Sequence, residues 1–277
     1  MPTERKNILT IDCEDFLLLP AFKNLKSDID LNQMIDNQIN AILIELRNAN
    51  DTKATFFIVG EIAKRNPDLV RRIRNNGHHL GSHSFKHSKA YKLTRSEFQS
   101  DLENSIKHIT TASGEDVDCY RAPMWSYKPN MYWYWDVLSK KNIKYDSSIF
   151  PINRWMYGNP KAPRFTHVNQ NIIELPPSTI KIFGFNLPFC GGIYFRFMPY
   201  RIIRYFIKRL KKKYNHPILM YFHPWELDPN LVRVQNIRTL YKFVLYHNTK
   251  NSMKKFRRLI NEFEFTSIND YFINSSI

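Results

Sequence analysis

An acidic cluster follows the first apolar segment of the chain. Residues 7–12 read NILTID, an apolar run typical of a buried strand. Asp12, Glu14 and Asp15 stand at the end of that run. Carboxylates this close together repel one another unless a cation or an arginine neutralises them. The cluster is therefore either a solvated acidic turn or one side of a cation-binding site.

Two histidines follow a short predicted strand, His79–Ser82. If the chain forms a helical turn there, His83 and His87 face the same way and both imidazoles reach one metal ion. No glutamate follows His83 directly, which excludes the HExxH pattern of zinc proteases. An isolated pair of this kind is more often two surface histidines. A carboxylate from the acidic cluster would complete a catalytic metal site of two histidines and one acid.

Two further strand ends carry candidate catalytic groups. Arg121, in the segment YRAPMW, is placed to pair with a carboxylate and to hold its orientation and its low pKa. His223, in the segment YFHPWE, is a candidate general acid. The plainer interpretation is a structural ion pair for the arginine and a core position for the histidine. Trp125 and Tyr127 form either a surface on which sugars stack or part of the core.

Strands and helices alternate along the chain, and this alternation must position the chemical groups. It predicts an α/β fold with a parallel sheet, either open or closed into a barrel. In such folds the catalytic groups collect at the carboxyl ends of the strands, where all four motifs fall. Strands are predicted at 7–12, 54–60, 79–82, 117–122, 172–176 and 217–222, and helices at 31–48, 67–76, 95–113, 131–141, 200–213 and 253–263.

The 277 residues are enough for one large domain or two small ones. No linker rich in Pro, Gly or Ser and no internal repeat divides them, so we expect one domain over 1–277, with a loop insertion at 151–200. Cys13, Cys119 and Cys190 are far apart, which disfavours a disulfide framework or a cysteine–zinc site and fits a reducing compartment. The sequence starts without the apolar stretch of a signal peptide, and the most apolar region is too interrupted for a membrane span. We therefore expect a cytoplasmic protein.

The chain is strongly basic, with a formal net charge of +16 and a pI of about 9.7. This charge predicts an anionic partner. The predicted helix at 200–213 has an apolar stripe and a basic face, as does a peripheral helix on an anionic membrane, although a solvated outer face is the default interpretation. No RNP, zinc-finger or Walker motif is present, so no nucleic-acid partner is expected.

Taken together and in this order, the motifs resemble the polysaccharide deacetylases with a NodB homology domain, carbohydrate esterase family 4. The resemblance is closest to the branch found with exopolysaccharide loci, which has an IDxEDF-like first motif. The matching segments span most of the chain in family order: LTIDCEDF (9–16), KATFFIVG (53–60), GHHLGSHSFKH (77–87), YRAPMWS (120–126), YDSSIFP (145–151), LPFCGGIYFRFMPY (187–200) and YFHPWELDP (221–229).

The resemblance implies a distorted (β/α)7 barrel and metal-dependent removal of acetyl groups from N-acetyl amino sugars. Carried over by position, Asp12 resembles the general base, Arg121 the residue that orients it, and His223 the general acid. His83 and His87 resemble ligands of a divalent metal, for which zinc is the preferred choice. The substrate expected is an N-acetylated poly- or oligosaccharide of surface polysaccharide biosynthesis, either lipid-linked or polymeric, and the oligomeric state is left open.

The third metal ligand is ambiguous because the family has two adjacent aspartates in its first motif. If the segment is still extended, side chains alternate with period two, and Asp12 and Glu14 point to the same side. This geometry favours Glu14 as the ligand. If the chain turns after Cys13, the side chain of Asp15 reaches the ligand position instead.

Other departures concern the substrate side of the site. Tyr221 changes the last motif and predicts a differently shaped acetyl pocket, while a backbone N–H near Met124 would hold the oxyanion. Trp125 and Tyr127 are the candidate substrate-binding aromatics. Asp146 is the nearest equivalent of the family's fourth motif, an Asp/Trp pair that tunes the acid histidine.

Two other functions stay open. One is a related C–N hydrolase of a small cyclic amide, with Tyr221 and the segment 151–200 shaping a closed pocket. The other is a non-catalytic basic protein that binds membranes or nucleic acid. The intact acidic, histidine and FHPWE motifs argue against this last alternative.

Overall fold

Parallel strands make up most of the main sheet in the computed structural model, which describes residues 6–18, 22, 29–154, 157–235 and 237–275. Each of β1 to β5 comes from a segment in which the sequence predicts a strand or the resemblance places a motif. The strands are β1 (Asn7–Cys13), β2 (Thr55–Ile58), β3 (His79–Ser82), β4 (Cys119–Tyr120), β5 (Tyr145–Asp146), β6 (His167–Asn169), β7 (Ile172–Glu174), β8 (Thr179–Ile182), β9 (Phe185–Pro188), β10 (Leu219–Phe222) and β11 (Phe265–Thr266).

Helices connect most of these strands. Within the described residues they are α1 (Leu31–Asn48), α2 (Gly60–Arg65), α3 (Pro67–Asn75), α4 (Arg95–Ser113), α5 (Tyr134–Lys140), α6 (Gly192–Phe197), α7 (Tyr200–Tyr214), α8 (Thr239–Tyr246), α9 (Thr249–Glu262) and α10 (Ile268–Ser275). None of them combines the length and apolar character that crossing a bilayer requires.

The strand order is β10-β1-β2-β3-β4-β5-β7, and every neighbouring pair in it is parallel. β6 adds an antiparallel edge to β7, and β11 pairs with the start of β1. Seven parallel strands form the distorted (β/α)7 barrel that was predicted, in a single domain, and helices link all of them except β5 and β7. The arrangement brings the carboxyl ends of all these strands to one edge of the curled sheet.

Close backbone contacts bring the two ends of the sheet together. The N–H of Ser178, just after β7, donates to the carbonyl of Leu219 on the opposite edge strand β10. Gly191 forms a parallel bridge with Tyr221 of β10, and a Cβ at Gly191 would lie 1.8 Å from the Tyr221 carbonyl oxygen. Only glycine permits this approach.

The helices begin and end where local sequence signals place them. Thr94 and Glu97 form a reciprocal capping box at the start of α4, and Gly114 ends that helix in the left-handed conformation. α1 buries Ile35, Ile39 and Ile42 among other apolar side chains against the sheet. These elements agree with the prediction to within a few residues.

The segment 151–200 differs from the predicted loop insertion. It contains β6, β7, β8, β9 and α6, and β7 is one of the parallel strands of the main sheet. The periodicity was weak because these elements are only three to six residues long. Residues 155 and 156 of this segment lie outside the described residues.

A buried pair of carboxyl groups joins β5 to β7. The parallel register places Asp146 beside Glu174, and both side chains are fully buried. Glu174 Oε1 accepts the N–H of Ile149, while Asp146 accepts from the hydroxyls of Ser148 and Tyr134. Burial raises the pKa of Asp146 to about 6, and burial beside the charge of Asp146 raises the pKa of Glu174 well above its usual range.

Glu174→Gln is expected to raise the free energy of unfolding at pH 8 and to change it much less at pH 5. Both pKa values are raised in the folded protein, so the folded state binds more protons than the unfolded chain and loses stability as pH rises above about 4. The amide keeps an acceptor for Ile149 and supplies a donor to Asp146 without a second charge. Between the pKa values of the unfolded and the folded state, the unfolding equilibrium constant changes by up to about tenfold per pH unit.

Chemical denaturation at the two pH values measures the difference. Glu61→Gln on the exposed face of α2 is the matched control and should show no such pH dependence. An equal effect of Glu174→Gln at both pH values would contradict this account of the pair.

Candidate metal centre and catalytic cavity

A cavity of about 200 Å³ opens at the carboxyl ends of the strands. It collects side chains from motifs that are far apart in the sequence, as the parallel topology requires. Its lining comprises Asp12, Glu14, His83, His87, Arg121, Ala122, Met124, Trp125, Tyr157, Ile193, Arg196, Tyr221, His223, Trp225, Glu226 and Val244.

Glu14, His83 and His87 form the candidate metal centre. One ligand atom from each lies within 4.8 Å of the others. Glu14 Oε2 is 2.5 Å from His87 Nε2 and 3.5 Å from His83 Nε2. Burial by itself raises the pKa of Glu14, but the charges of His87 and His223 hold it well below its usual range.

The donor atoms of this cluster fit a divalent metal. His83 Nδ1 lies 2.8 Å from the carbonyl oxygen of Arg121, so this nitrogen carries the proton and Nε2 presents its lone pair to the cluster. His87 Nε2 is buried and has no hydrogen-bond partner of good geometry among the described residues. Two imidazole nitrogens and one carboxylate are a common ligand set for catalytic zinc.

The two histidines do not lie on a helical turn, contrary to the prediction. Residues 83–87 form a loop in which Ser84 and His87 have positive φ angles of 65° and 54°. The carboxylate of Asp101 on α4 holds this loop by accepting the N–H groups of Phe85 and Lys86. The imidazoles of His83 and His87 therefore meet because of the conformation of this loop, and not because of the i, i+4 spacing of a helix.

The three acids of the first motif separate into two environments. Asp12 and Glu14 line the cavity, as the alternation of an extended chain predicts. Asp15 is equally buried, but its Oδ2 forms an ion pair of 2.9 Å with Arg65 at the end of α2. Asp15 is not part of the cluster of Glu14 and the two histidines.

Arg121 is fully buried and fixes the position of Asp12. Its Nη1 donates to Asp12 Oδ1 at 2.5 Å and to Thr10 Oγ1 at 3.0 Å. Its Nη2 donates to Ser147 Oγ at 2.9 Å, and the guanidinium carbon lies 4.2 Å from the centre of the Phe57 ring. Residues on β2, after β4 and after β5 therefore determine the orientation of the Asp12 carboxylate on β1.

His223 lies across the cavity from the first motif. Its Nε2 is 3.8 Å from Asp12 Oδ2 and 3.5 Å from Glu14 Oε1. Burial lowers the pKa of His223, but the negative charges of Glu226 and Glu14 outweigh it and raise the pKa to about 9. This histidine can therefore carry a proton on the side that faces the cavity.

Two residues that the sequence analysis did not assign hold His223 in place. His223 Nδ1 is 2.8 Å from Glu226 Oε2, and Arg196 Nε donates to Glu226 Oε1 at 3.2 Å. Arg196 also donates to the carbonyls of residues 244, 245 and 247, and its side chain is almost completely buried. Although burial raises the pKa of Glu226, the charges of His223 and Arg196 bring it below its usual value.

Sequence signals for both residues existed. Glu226 stands three residues after His223, the spacing at which an acid bonds back to the residue before a turn. Arg196 is a lone charge inside an apolar segment, and a charge that is buried needs a partner.

Asp146, in contrast, is not the partner of His223. Its described hydrogen bonds go to Ser148 and Tyr134 beside Glu174, because β5 places its side chain against β7 rather than toward β10. The aromatic partner of the histidine is Trp225, whose ring stacks on it at a centroid distance of 5.3 Å.

Of the three candidate substrate-binding residues, two line the cavity and one does not. Met124 and Trp125 line the cavity, and both have left-handed backbone angles, with φ of 54° and 46°. Trp125 packs edge-on against Tyr221, with ring centroids 4.6 Å apart. Tyr127 does not line the cavity: it packs against Tyr134 and Trp135 in a second aromatic cluster.

Comparison with known proteins relates part of the chain to polysaccharide deacetylases. Residues 33–146 match the family model described as polysaccharide deacetylase, and residues 147–273 match a model described as a domain of unknown function, DUF3473. The boundary falls inside one sheet, because β5 ends at Asp146 and β10 from the second region pairs with β1.

A peptidoglycan-N-acetylglucosamine deacetylase of Bacillus cereus is 33% identical over 82 residues, 30% of each protein. The matches thus span about a third of the length of the curated relatives. A solved Mycobacterium smegmatis structure assigned as a polysaccharide deacetylase superposes with a TM-score of 0.61 at 15% identity, over 96% of this chain and 88% of that one. A family 4 carbohydrate esterase from Streptomyces lividans, solved with acetate, gives 0.52 at 14% identity, over 95% and 91%.

The solved structures share the fold, and the family model matches the region that carries the histidine and arginine motifs. Residues 33–146 therefore resemble polysaccharide deacetylases, and the chain shares the fold of the solved structures.

Proposed function

We propose that this protein is a metal-dependent hydrolase that removes acetyl groups from N-acetyl amino sugars of a saccharide. The observation that carries the proposal is the placement of two proton-transfer groups around one cavity. Asp12 Oδ2 and His223 Nε2 lie 3.8 Å apart beside the cluster of Glu14, His83 and His87. Amide hydrolysis needs a base for water and an acid for the leaving amine, and these two groups supply them.

Asp12 acts as the general base. Its Oδ1 is occupied by the Arg121 guanidinium, which holds the carboxylate in place, while Oδ2 faces His223 and the cavity. A water molecule between Oδ2 and the acetyl carbon gives its proton to this oxygen as it attacks. General-base catalysis of this kind is worth about 10²–10⁴ in rate.

Glu14, His83 and His87 would hold the divalent ion, for which we propose zinc. When bound, such an ion polarises a carbonyl oxygen and lowers the pKa of water. The developing negative charge on the acetyl oxygen would also meet the left-handed turn at Met124, whose backbone N–H we assign to the oxyanion site. Trp125 forms the neighbouring apolar wall.

His223 acts as the general acid. Its Nδ1–H donates to Glu226, so the proton on Nε2 is directed into the cavity and passes to the sugar nitrogen as the C–N bond breaks. Arg196 balances the charge of Glu226 and ties it to the backbone before α9. Glu226 and Arg196 are therefore positioning residues.

The substrate class rests on family and fold. The Bacillus cereus relative is named for peptidoglycan N-acetylglucosamine, and the family 4 esterase was solved with acetate. We propose an acetylated saccharide made for the cell surface as the substrate. A small cyclic amide is the second candidate, because Tyr221 and Tyr157 narrow the cavity to about 200 Å³.

Substitutions of the two neighbouring acids test the metal site. Glu14→Gln should weaken zinc binding by more than about 100-fold, because the neutral amide is a poor ligand, whereas Asp15→Asn should keep zinc. Calorimetric titration of chelator-treated protein with Zn²⁺ measures both. Circular dichroism of each variant checks folding, because Asp15 loses its ion pair with Arg65. The opposite pattern would move the ligand role to Asp15.

Turnover of the variants is measured as acetate released from chitin oligomers. Asp12→Asn should retain zinc and lose about 10²–10⁴ in kcat, since an amide cannot accept the proton. Glu226→Gln should lower kcat about 10-fold or more with little change in KM, because it misdirects the His223 proton only in the transition state.

Glu115→Gln, at the surface beyond α4, is the control for Glu226→Gln and should keep full kcat. An Asp12→Asn protein that releases acetate at the parent rate would refute this mechanism. Turnover of a cyclic amide together with inertness toward every acetylated sugar would favour the second candidate.

We also propose contact with an anionic membrane through the exposed face of α7. Ile202 and Tyr205 are 42% and 55% exposed there, and Lys208 and Lys212 lie on exposed positions of the same helix. Exposed apolar groups among cations suit the interface of an anionic bilayer. A place in the cytoplasm, at the inner face of the membrane, stays a prediction from the sequence.

Sedimentation with vesicles containing phosphatidylglycerol tests this surface. Replacing Lys208 and Lys212 by Ala should lower the bound fraction several-fold, since each cation near the surface contributes about 1 kcal/mol. Replacing Lys92 and Lys107 by Ala is the charge-matched control. Equal binding by all three proteins would assign α7 to a plain solvated face.

A further inference from the structure

A second cleft lies beside the catalytic cavity, on the other side of α6. Its volume is about 670 Å³. The segment after β5, the β8–β9 hairpin and α6 form its walls, so it belongs to the region of the chain that the polysaccharide deacetylase model does not match. Its lining includes Arg154, Phe185, Asn186, Leu187, Tyr194 and Met198.

The two openings are neighbours. α6 presents Ile193 and Arg196 to the catalytic cavity, and it presents Tyr194 to the second cleft. Tyr157 lines the catalytic cavity, and its hydroxyl lies 3.0 Å from that of Tyr194. The hydrogen-bonded pair of Tyr157 and Tyr194 therefore separates the catalytic cavity from the second cleft. A chain-like ligand that passes this pair would occupy both openings.

The catalytic cavity is too small to hold more than the reacting part of a saccharide. At about 200 Å³ it is below the usual ligand-pocket range of about 300–1,000 Å³, whereas the second cleft is well inside that range. A longer substrate must therefore rest on surface outside the catalytic cavity, and the second cleft adjoins it.

The walls of the cleft combine apolar and hydrogen-bonding groups. Phe185 is 67% exposed and Leu187 is 43% exposed on β9, and Met198 also lines the cleft. The guanidinium of Arg154 donates from Nε to the Tyr194 hydroxyl at 3.0 Å and lies over its ring. The amide of Asn186 donates to the Pro151 carbonyl, which fixes its orientation.

These groups match a saccharide better than a lipid chain. A pyranose ring presents C–H groups on its faces, which suit Phe185 and Leu187, and hydroxyl or carboxylate groups on its edges, which suit Arg154 and Asn186. An isoprenoid would cover the apolar wall, but it would also desolvate the guanidinium of Arg154 and the amide oxygen of Asn186 without forming a hydrogen bond to either, which costs free energy.

We propose that this cleft binds the sugar units next to the one being deacetylated, with a carboxylate on one of them at Arg154. The inference rests on the proposed function, since it names the extent and charge of that substrate. Arg154 and Phe185 are specificity-determining residues here, and they take no part in the chemical step.

Calorimetry on zinc-loaded Asp12→Asn protein tests the cleft without turnover. The probes are N-acetylglucosamine, the neutral chitin tetramer and the hyaluronan tetrasaccharide, which alternates N-acetylglucosamine with glucuronate. Arg154→Met should weaken the hyaluronan tetrasaccharide about tenfold, as expected for one lost charged hydrogen bond, and leave N-acetylglucosamine unchanged. Phe185→Ala should weaken both tetramers and spare the single sugar.

Arg209→Met and Tyr132→Ala are the matched controls, because both residues are exposed and neither lines the cleft. They should bind all three probes as the parent does. Parent-like binding of both tetramers by Arg154→Met and Phe185→Ala would overturn the proposal. A short polyprenyl phosphate is titrated as a fourth probe, and a loss of binding confined to it would also overturn the proposal and assign the cleft to a lipid.

The two proposals fail separately. If the parent releases no acetate but the cleft variants lose tetramer binding, the proposed activity is wrong and the cleft stands. If acetate release is normal and the variants bind every probe like the parent, the cleft assignment alone is wrong.

Discussion

The buried guanidinium of Arg121 is the interaction on which the rest of the site depends. It neutralises Asp12 from β1, binds Ser147 after β5 and lies on the Phe57 ring of β2. The carbonyl of the same residue also orients His83 after β3. A fully buried cation without such partners would be prohibitively costly, so the strands must meet around it. One residue thereby couples the curvature of the sheet to the placement of the proposed base, Asp12, and of a candidate metal ligand, His83.

A second arginine has the corresponding role on the opposite wall. Arg196 lies in the later half of the chain and reaches Glu226, which in turn fixes His223. The two halves of the cavity are thus built on two buried ion pairs, and each holds one of the proposed proton-transfer groups. The two matched regions meet within one continuous sheet; His223, the proposed acid, lies in the second region, and Asp12, the proposed base, precedes both. The distance between Asp12 and His223 is therefore set by the pairing of β1 with β10.

The buried acid pair of Asp146 and Glu174 shows that burying charged groups in this fold costs free energy. Parallel register forces two carboxyl groups into one dry site, where at most one ionises readily. Ser148 of the same loop bonds both Asp146 and the Ala122 N–H, so the pair supports the turn that follows Arg121. The residue that resembled a tuning partner for His223 serves instead to lock β5 to β7.

Much of the fold and the chemistry could be read from the sequence, because apolar periodicity, capping signals and strand-end motifs are local. The strand that ends at Asp12, the capped helix α4 and the alternation that turns Glu14 toward the metal centre follow from neighbouring residues alone. The loop conformation of His83 and His87, the partner of His223 and the position of Tyr127 do not, since Asp101, Arg196 and the second aromatic cluster approach from distant segments. The sequence by itself determined which groups are present and in what order. Only the tertiary structure decided which of them meet, because sheet closure and the pairing of buried charges are long-range constraints.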